Sequence, residues 1–274
     1  MNIGLVATDL DGTLLRSDKS ISEADLAMLE HLGEKKIFRV VATGRNLSKV
    51  KEVIHEHVPF DYIAFSSGAG IYDFRRHQLL YSRNIARDTV NKLSDWLINK
   101  GLSFFLFQEV PLNSYCWYYR GKNSCEEFDR YFESHAALAE RLPASGRIPA
   151  GACQFLVIFK YAEQYTELRD ELVLHFDDLK ILRASSPFET GYTWMEVFHQ
   201  DVSKGNAVRF LCDHLNVKRE ETLGIGNDYN DLDLLDFTSF SYLVKNGPEE
   251  LKSKYRPAPS NEENAFSFCL HRHL

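Results

Sequence analysis

Ile3 to Thr8 is a nearly continuous apolar run without polar alternation, and it stops on two acids, Asp9 and Asp11. A strand of this kind has to be buried on both faces, as strands are inside a parallel sheet covered by helices. The following segments fit that requirement. Ser22 precedes a helical pattern through Leu26, Leu29 and Leu32, with Gly33 near its end, and Ile37 to Ala42 is a second apolar strand running into Thr43-Gly44. Strand, helix, strand makes a βαβ unit. Tyr62 to Phe65 repeats the strand signal and enters Ser66-Ser67-Gly68-Ala69-Gly70, small residues that permit a sharp turn and close backbone approach.

The rhythm then changes. The pattern predicts a helix near 86–100, paired strands at Ser103 to Phe107 and Tyr115 to Tyr119, a helix near 124–141 and a strand from Gln154 to Phe159. A helix from Glu163 to His175 and two strands, Ile181 to Ala184 and Thr193 to Phe198, complete an α+β block with antiparallel hairpins. The βα alternation returns with a helix from Lys204 to His214, a strand from Thr222 to Gly226, a helix after Asp231 and a strand from Ser241 to Val244. Lys254 to Asn264, with Pro257 and Pro259, reads as a loop before a short terminal helix. The expected organisation is a split α/β domain, residues 1–83 and 200–274, interrupted by an inserted domain over residues 84–199. A length of 274 residues agrees, at roughly 100 to 200 residues per domain.

Charge narrows the partners. Thirty-two Lys and Arg against 39 Asp and Glu give a net charge of -7, which repels a nucleic acid polymer or an anionic membrane, so an anionic substrate has to be held locally. The five cysteines are widely spaced with no C-x-x-C pair and read as free thiols, pointing to a cytoplasmic location. The start MNIGLVATDLDG lacks the basic segment of a signal peptide, and apolar runs such as Phe155 to Phe159 are too short to span a bilayer. The ten histidines form no H-x-x-x-H pattern, and the aromatic rows Phe104, Phe105, Phe107 and Trp117, Tyr118, Tyr119 read as core.

Four clusters carry the chemistry. Asp9-Leu10-Asp11-Gly12-Thr13 lies where the first strand ends, and ligands of parallel α/β sheets bind at the carboxyl ends of strands. Side chains alternate along extended backbone, so Asp9 and Asp11 share a side and reach one reacting centre. By itself the cluster also reads as a solvated turn. Asp9 to Leu15 resembles the first motif of the haloacid dehalogenase superfamily, and the large middle insertion looks like its Cof-type branch (subfamily IIB). The resemblance implies a Rossmann-like parallel sheet core with an inserted α+β, type 2, cap. Three more motifs follow in the family's order: Val40 to Arg45 with Thr43, Asp201 to Ala207 with Lys204, and Gly224 to Asp231, similar to G-D-x-x-N-D. The last departs at one position, because register on Asn230-Asp231 puts Asn227 where the family has a metal-binding aspartate, with Asp228 next to it. Val244 to Pro248 and Ser260 to Glu263 look like the family's closing segments.

The resemblance implies a Mg²⁺-dependent phosphatase of small phosphorylated metabolites such as a sugar phosphate, a nucleotide or a cofactor phosphate, acting as a monomer or weak homodimer. Asp9 is then the nucleophile that forms an aspartyl-phosphate, Asp11 the general acid and base, and Thr43 and Lys204 the groups that hold the phosphoryl. Gly44, Arg45 and Asn230 are expected at the substrate. Mg²⁺ takes hard oxygen ligands, and Asp9, Asp11 through its carbonyl, Asn227, Asp228 and Asp231 are the candidates. Two other readings share these motifs: a phosphotransferase resembling phosphomannomutase, and a catalytically weak phospho-ligand binding protein.

Overall fold

In a computed structural model of the protein, residues 3–188 and 190–274 are described; the first two residues and one position of the 186–191 turn lie outside them. The strands in chain order are β1 (Leu5–Thr8), β2 (Phe38–Ala42), β3 (Tyr62–Phe65), β4 (Gly70–Asp73), β5 (Gln78–Ser82), β6 (Phe104–Phe107) and β7 (Cys116–Tyr119). They continue as β8 (Ala139–Arg141), β9 (Gln154–Phe159), β10 (Leu179–Ser185), β11 (Thr193–His199), β12 (Thr222–Gly226), β13 (Phe240–Val244) and β14 (Arg256–Ala258). The helices are α1 (Glu23–Glu34), α2 (Leu47–Lys51), α3 (Arg87–Asn99), α4 (Glu126–His135), α5 (Ala162–His175), α6 (Lys204–Leu215), α7 (Leu232–Phe237) and α8 (Ala265–Leu270). The chain divides into two compact units: the part through Tyr81 with Ser203–Leu274, and Ser82–Val202.

The first unit is built on the sheet β14-β13-β12-β1-β2-β3-β4-β5. From β14 to β3 all neighbours are parallel, and β4 turns back antiparallel to β3. Period-two alternation explains how one strand serves two helical layers. Leu5 and Ala7 of β1 and Val40 and Ala42 of β2 pack with Ala207, Val208 and Leu211 of α6. Val6 and Val41 point the other way and are equally buried. At the opposite end of β2 from Thr43, the buried Arg39 guanidinium donates to Asp61 at 2.9 and 3.0 Å and to the Leu29 carbonyl at 3.1 Å, tying β2, the start of β3 and α1 together.

The second unit has its own sheet, β10-β11-β9-β6-β7-β8, antiparallel except for the β7–β8 pair. One core of α3 and α5 residues, including Val90, Leu93, Leu97, Leu168 and Leu172, packs on Phe104, Leu106, Phe155, Val157 and Met195. The aromatic rows are core here: Phe104 stacks on Tyr119, and Phe105 on Phe128 of α4.

Two expectations change. The helix expected to reach residue 141 stops at His135, and after a short turn Ala139–Arg141 pairs with β7, because Tyr118, Phe132 and the β7 edge offer the chain an aromatic surface and unpaired strand groups. Within the stretch expected to be a loop, Arg256–Ala258 forms the edge strand β14; Pro257 is tolerated because only one side of an edge strand needs its N–H groups. All five cysteines are free thiols. No helix among the described residues is long and apolar enough to cross a membrane.

Candidate active site

Asp9 is the first residue beyond β1, and its backbone N–H donates to the Ile225 carbonyl of β12 at 2.9 Å, so two central strands fix where its side chain emerges. That side chain is buried. Lys204 Nζ donates to Asp9 Oδ1 at 2.7 Å and to Asp231 Oδ1 at 2.6 Å, with Asn230 Oδ1 at 3.4 Å. Lys204 opens α6 behind Ser203, whose Oγ accepts from the Asn206 N–H at 3.1 Å as the helix cap. A cation there meets the positive end of the helix dipole and loses its hydration, being 1% exposed. The two carboxylates offset both costs: burial pulls Lys204 down, but Asp231 and Asp9 outweigh it and hold the ammonium above the usual lysine range.

One ammonium between two carboxylates leaves a net negative charge in a closed space. Burial therefore pushes the Asp9 carboxyl well above its ordinary range, Lys204 pulling against the shift and Asp231 adding to it. The site favours either a proton on Asp9 or a further cation. The described residues hold no group of three His, Cys, Asp or Glu side chains spaced for a metal ion. What they offer is a mixed oxygen set. One terminal atom of the Asn227 amide lies 3.1 Å from Asp9 Oδ2 and 3.3 Å from the Asp11 carbonyl oxygen. A carboxylate, a carbonyl and an amide oxygen, gathered at a buried carboxylate, fit a hard divalent ion such as Mg²⁺.

Asp11 stands differently from Asp9. Its carboxylate is half-exposed and takes two bonds from Arg45, Nε to Oδ2 at 2.5 Å and Nη2 to Oδ1 at 2.6 Å, and one from Lys19 Nζ at 3.0 Å. Burial raises its carboxyl, but the Arg45 and Lys19 charges outweigh burial and hold it below the ordinary range. Arg45, expected at the substrate, is thus placed on Asp11, because the turn after β2 brings it alongside the loop after β1. Thr43 is buried, and its Oγ1 accepts from the Arg45 N–H at 3.1 Å, which leaves the hydroxyl proton to be donated elsewhere. Gly44 lies beside Asn230: a Cβ there would sit 3.6 Å from Asn230 Nδ2.

Asp231, expected among the metal ligands, has both carboxylate oxygens engaged within the protein. Its Oδ1 holds Lys204, and its Oδ2 accepts from the backbone N–H groups of Asn227 at 2.8 Å and Asp228 at 3.0 Å. With those bonds it shapes the loop and anchors the lysine. The structure also gives individual roles to residues that the sequence marks only as part of segments. Asn246, just past β13, donates to the Gly12 carbonyl at 2.7 Å and accepts from the Asn261 N–H at 3.3 Å, while Asn261 Nδ2 donates to the Leu15 carbonyl at 2.9 Å. Together they clasp the first loop from the far end of the chain. Ser66 and Ser67, buried beyond β3, both adopt left-handed backbone, with φ of 49° and 54°. Non-glycine residues rarely do so, and such strain gathers near functional sites.

Comparison with known proteins bears on this geometry. The family described as haloacid dehalogenase-like hydrolase matches residues 6–267. The HMP-PP phosphatase of Serratia proteamaculans is 24% identical over 257 residues, covering 91% of this chain and 86% of the relative. Among solved structures, a phosphatase of the haloalkanoate superfamily from Bacteroides thetaiotaomicron superposes with a TM-score of 0.81 at 18% identity, covering 99% of this chain and 95% of the other. A subclass IIB sugar phosphatase superposes with a TM-score of 0.76 at 16% identity, covering 98% of each chain. The structural likenesses bear on the fold alone.

Proposed function

The chain belongs to the haloacid dehalogenase-like hydrolases, and from that premise we propose that it is a Mg²⁺-dependent phosphatase of small phosphorylated metabolites, with Asp9 as its nucleophile. The observation that carries the reading is the buried Asp9 carboxylate at the end of β1, paired with an ammonium that Asp231 pins in place. A purely structural ion pair would need no second acid two residues away, nor a mixed oxygen set opening onto it. The relative named as an HMP-PP phosphatase supports a small phosphate ester as the substrate class.

The steps follow from the side chains. An Asp9 oxygen attacks phosphorus as the bond to the leaving oxygen breaks, and Asp11 delivers a proton to that oxygen. Water then attacks the aspartyl-phosphate, giving its proton to Asp11, so that inorganic phosphate leaves and Asp9 is restored. Asp11 rests as an ionised partner of Arg45, so its acid role requires that Arg45 be drawn off. A phosphoryl oxygen arriving beside Thr43 and Arg45 is the natural competitor, since guanidinium pairs with phosphate as readily as with carboxylate. Lys204 balances charge on Asp9, and Thr43 donates to a phosphoryl oxygen. Asp9, the Asp11 carbonyl and Asn227 would hold Mg²⁺, with Asp228 supplying nearby charge; the ion would add positive charge where the dianionic ester meets an anionic nucleophile.

The test is phosphate release from an aryl phosphate, then from a panel of phosphorylated sugars and pyrimidines, with Mg²⁺ and with EDTA. Mg²⁺-dependent release of free phosphate is expected. An isomerised sugar phosphate in place of free phosphate, or equal rates in EDTA, would overturn the reading.

A further inference from the structure

Asn227 is an amide at the position where the resemblance implies an acid, beside the buried Asp9 carboxylate. Its inward terminal atom faces two acceptors, Asp9 Oδ2 at 3.1 Å and the Asp11 carbonyl oxygen at 3.3 Å. Oxygen in that position makes a triangle of oxygens with no proton among them, which is repulsive unless a cation sits at the centre. Nitrogen in that position donates two hydrogen bonds. An amide presents either atom after a half-turn about its last bond, whereas a carboxylate presents oxygen both ways. Gly12 leaves the room: it has φ of +72°, and a Cβ on it would lie 2.6 Å from the Asn227 amide.

We propose that the Asn227 side chain is a two-position element of the metal site, whose NH₂ bridges Asp9 and Asp11 when no cation is bound and whose oxygen turns inward to take a divalent cation. The inference rests on the metal reading above and adds a state to it. With no cation, Asn227 fills the cation's place with donated hydrogens, keeps the 226–231 loop fastened to the nucleophile loop, and spares the site a second carboxylate 3 Å from Asp9. The cation must break both hydrogen bonds before it gains the amide oxygen, so the site exchanges affinity for an ordered metal-free form. An aspartate in the same place gains charge attraction toward the cation and loses the bridge.

Thermal melts of the full chain at pH 8 test this, for wild type, Asn227→Asp and Asn227→Ala, first in EDTA and then across a Mg²⁺ titration. In EDTA, Asn227→Asp should melt below wild type by at least about 2–4 °C, the shift expected from about 1 kcal/mol in a chain of this size, since both hydrogen bonds of the bridge are lost. Saturating Mg²⁺ should reverse the order, because Asn227→Asp binds it at least about tenfold more tightly. Asn227→Ala should lose the stability seen in EDTA without any gain in Mg²⁺ affinity. In the wild-type protein, the Asn227 side-chain NH₂ signals, assigned by their loss in Asn227→Ala, should exchange slowly with solvent in EDTA and faster as Mg²⁺ is added. This readout does not depend on the aspartate variant folding. If Mg²⁺ stabilises wild type but Asn227→Asp melts no lower in EDTA, or the NH₂ signals ignore Mg²⁺, the two-position amide is wrong and the metal reading stands. If Mg²⁺ shifts none of the three melts, the metal reading fails and takes this inference with it.

Discussion

Asp9 and Asp11 are two residues apart and yet sit in opposite electrostatic conditions. Burial lifts the Asp9 carboxyl, from the ordinary 3.8 to about 7. A group whose folded value lies above its unfolded value holds its proton more tightly in the folded chain, so ionising it costs stability as pH rises through that window. Asp9→Asn has no such proton. In EDTA, therefore, Asp9→Asn should gain stability relative to wild type between pH 5 and pH 8, while its turnover falls at least about a thousandfold for loss of the nucleophile. Melts at both pH values and phosphate release check the two halves, and a pH-independent difference in melting would mean that Asp9 is not the titrating group. Arg45 acts with the other sign. It holds Asp11 low, so Arg45→Ala should let the Asp11 carboxyl rise and keep its proton to higher pH. The alkaline limb of the pH–rate profile, measured with a poor leaving group that needs the acid, should then move upward. A limb that stays in place would separate Arg45 from the proton transfer.

Elements deliver these side chains, and α6 is the most demanding because it carries a buried cation on its first residue. Two local features fix it. Ser203 caps the helix, and removal of such a cap costs about 1 kcal/mol. Gly205 lets α6 approach α7 so closely that a Cβ would lie 2.1 Å from the Asp233 carbonyl oxygen, which as backbone cannot swing aside. Ser203→Ala should accordingly lower the melting temperature by about 2–4 °C and leave most of the turnover, since Lys204 stays anchored by Asp231. Gly205→Ala should cost about 1–3 kcal/mol and at least about tenfold in rate, because the helix can yield only by carrying Lys204 away from Asp9. Equal effects on rate from the two variants would argue against this account of the helix. Much at this scale was legible in the chain. Leu5 to Thr8 and Thr222 to Gly226 are apolar without alternation, and only a doubly covered strand wants that; Ser203 before Lys204 reads as a cap. What could not be read depends on partners distant in sequence. Pro257 reads as a loop until β13 provides an edge, and Ala136 to Arg141 reads as helix until β7 provides another. Nothing in the spacing of Asp11 and Arg45 says that their side chains meet, and Asn246 and Asn261 acquire a role only when the last strands return beside the first loop.

At the scale of the whole chain, the residues proposed for the chemistry fall in one of the two units. Asp9, Asp11, Thr43, Lys204, Asn227 and Asp231 all belong to the unit that runs through Tyr81 and resumes at Ser203. That unit closes its own core, with Tyr81 packed on Phe210 at its exit and α6 following at once on re-entry. The intervening Ser82–Val202 unit closes another, around α3, α5 and the β6, β9 and β11 strands. Phosphoryl groups are alike in every ester, so residues that grip only the phosphoryl cannot rank leaving groups, and discrimination has to come from contacts elsewhere. We therefore propose that substrate choice lies with the inserted unit, Ser82–Val202. Replacing Ser82–Val202 with a short Gly-Ser linker tests the assignment, because each unit has the buried core that independent folding needs. The shortened protein should still bind Mg²⁺ and release phosphate from an aryl phosphate whose good leaving group asks little of the acid. Its preferences across phosphorylated sugars and pyrimidines should flatten, with kcat/KM for the best substrate of the full chain falling much further than for the worst. A shortened protein that folds, hydrolyses the aryl ester and keeps the original ranking would place selectivity in the sheet unit itself. The loop of Arg45, already paired with Asp11 and near the phosphoryl position, would then be the first region to search.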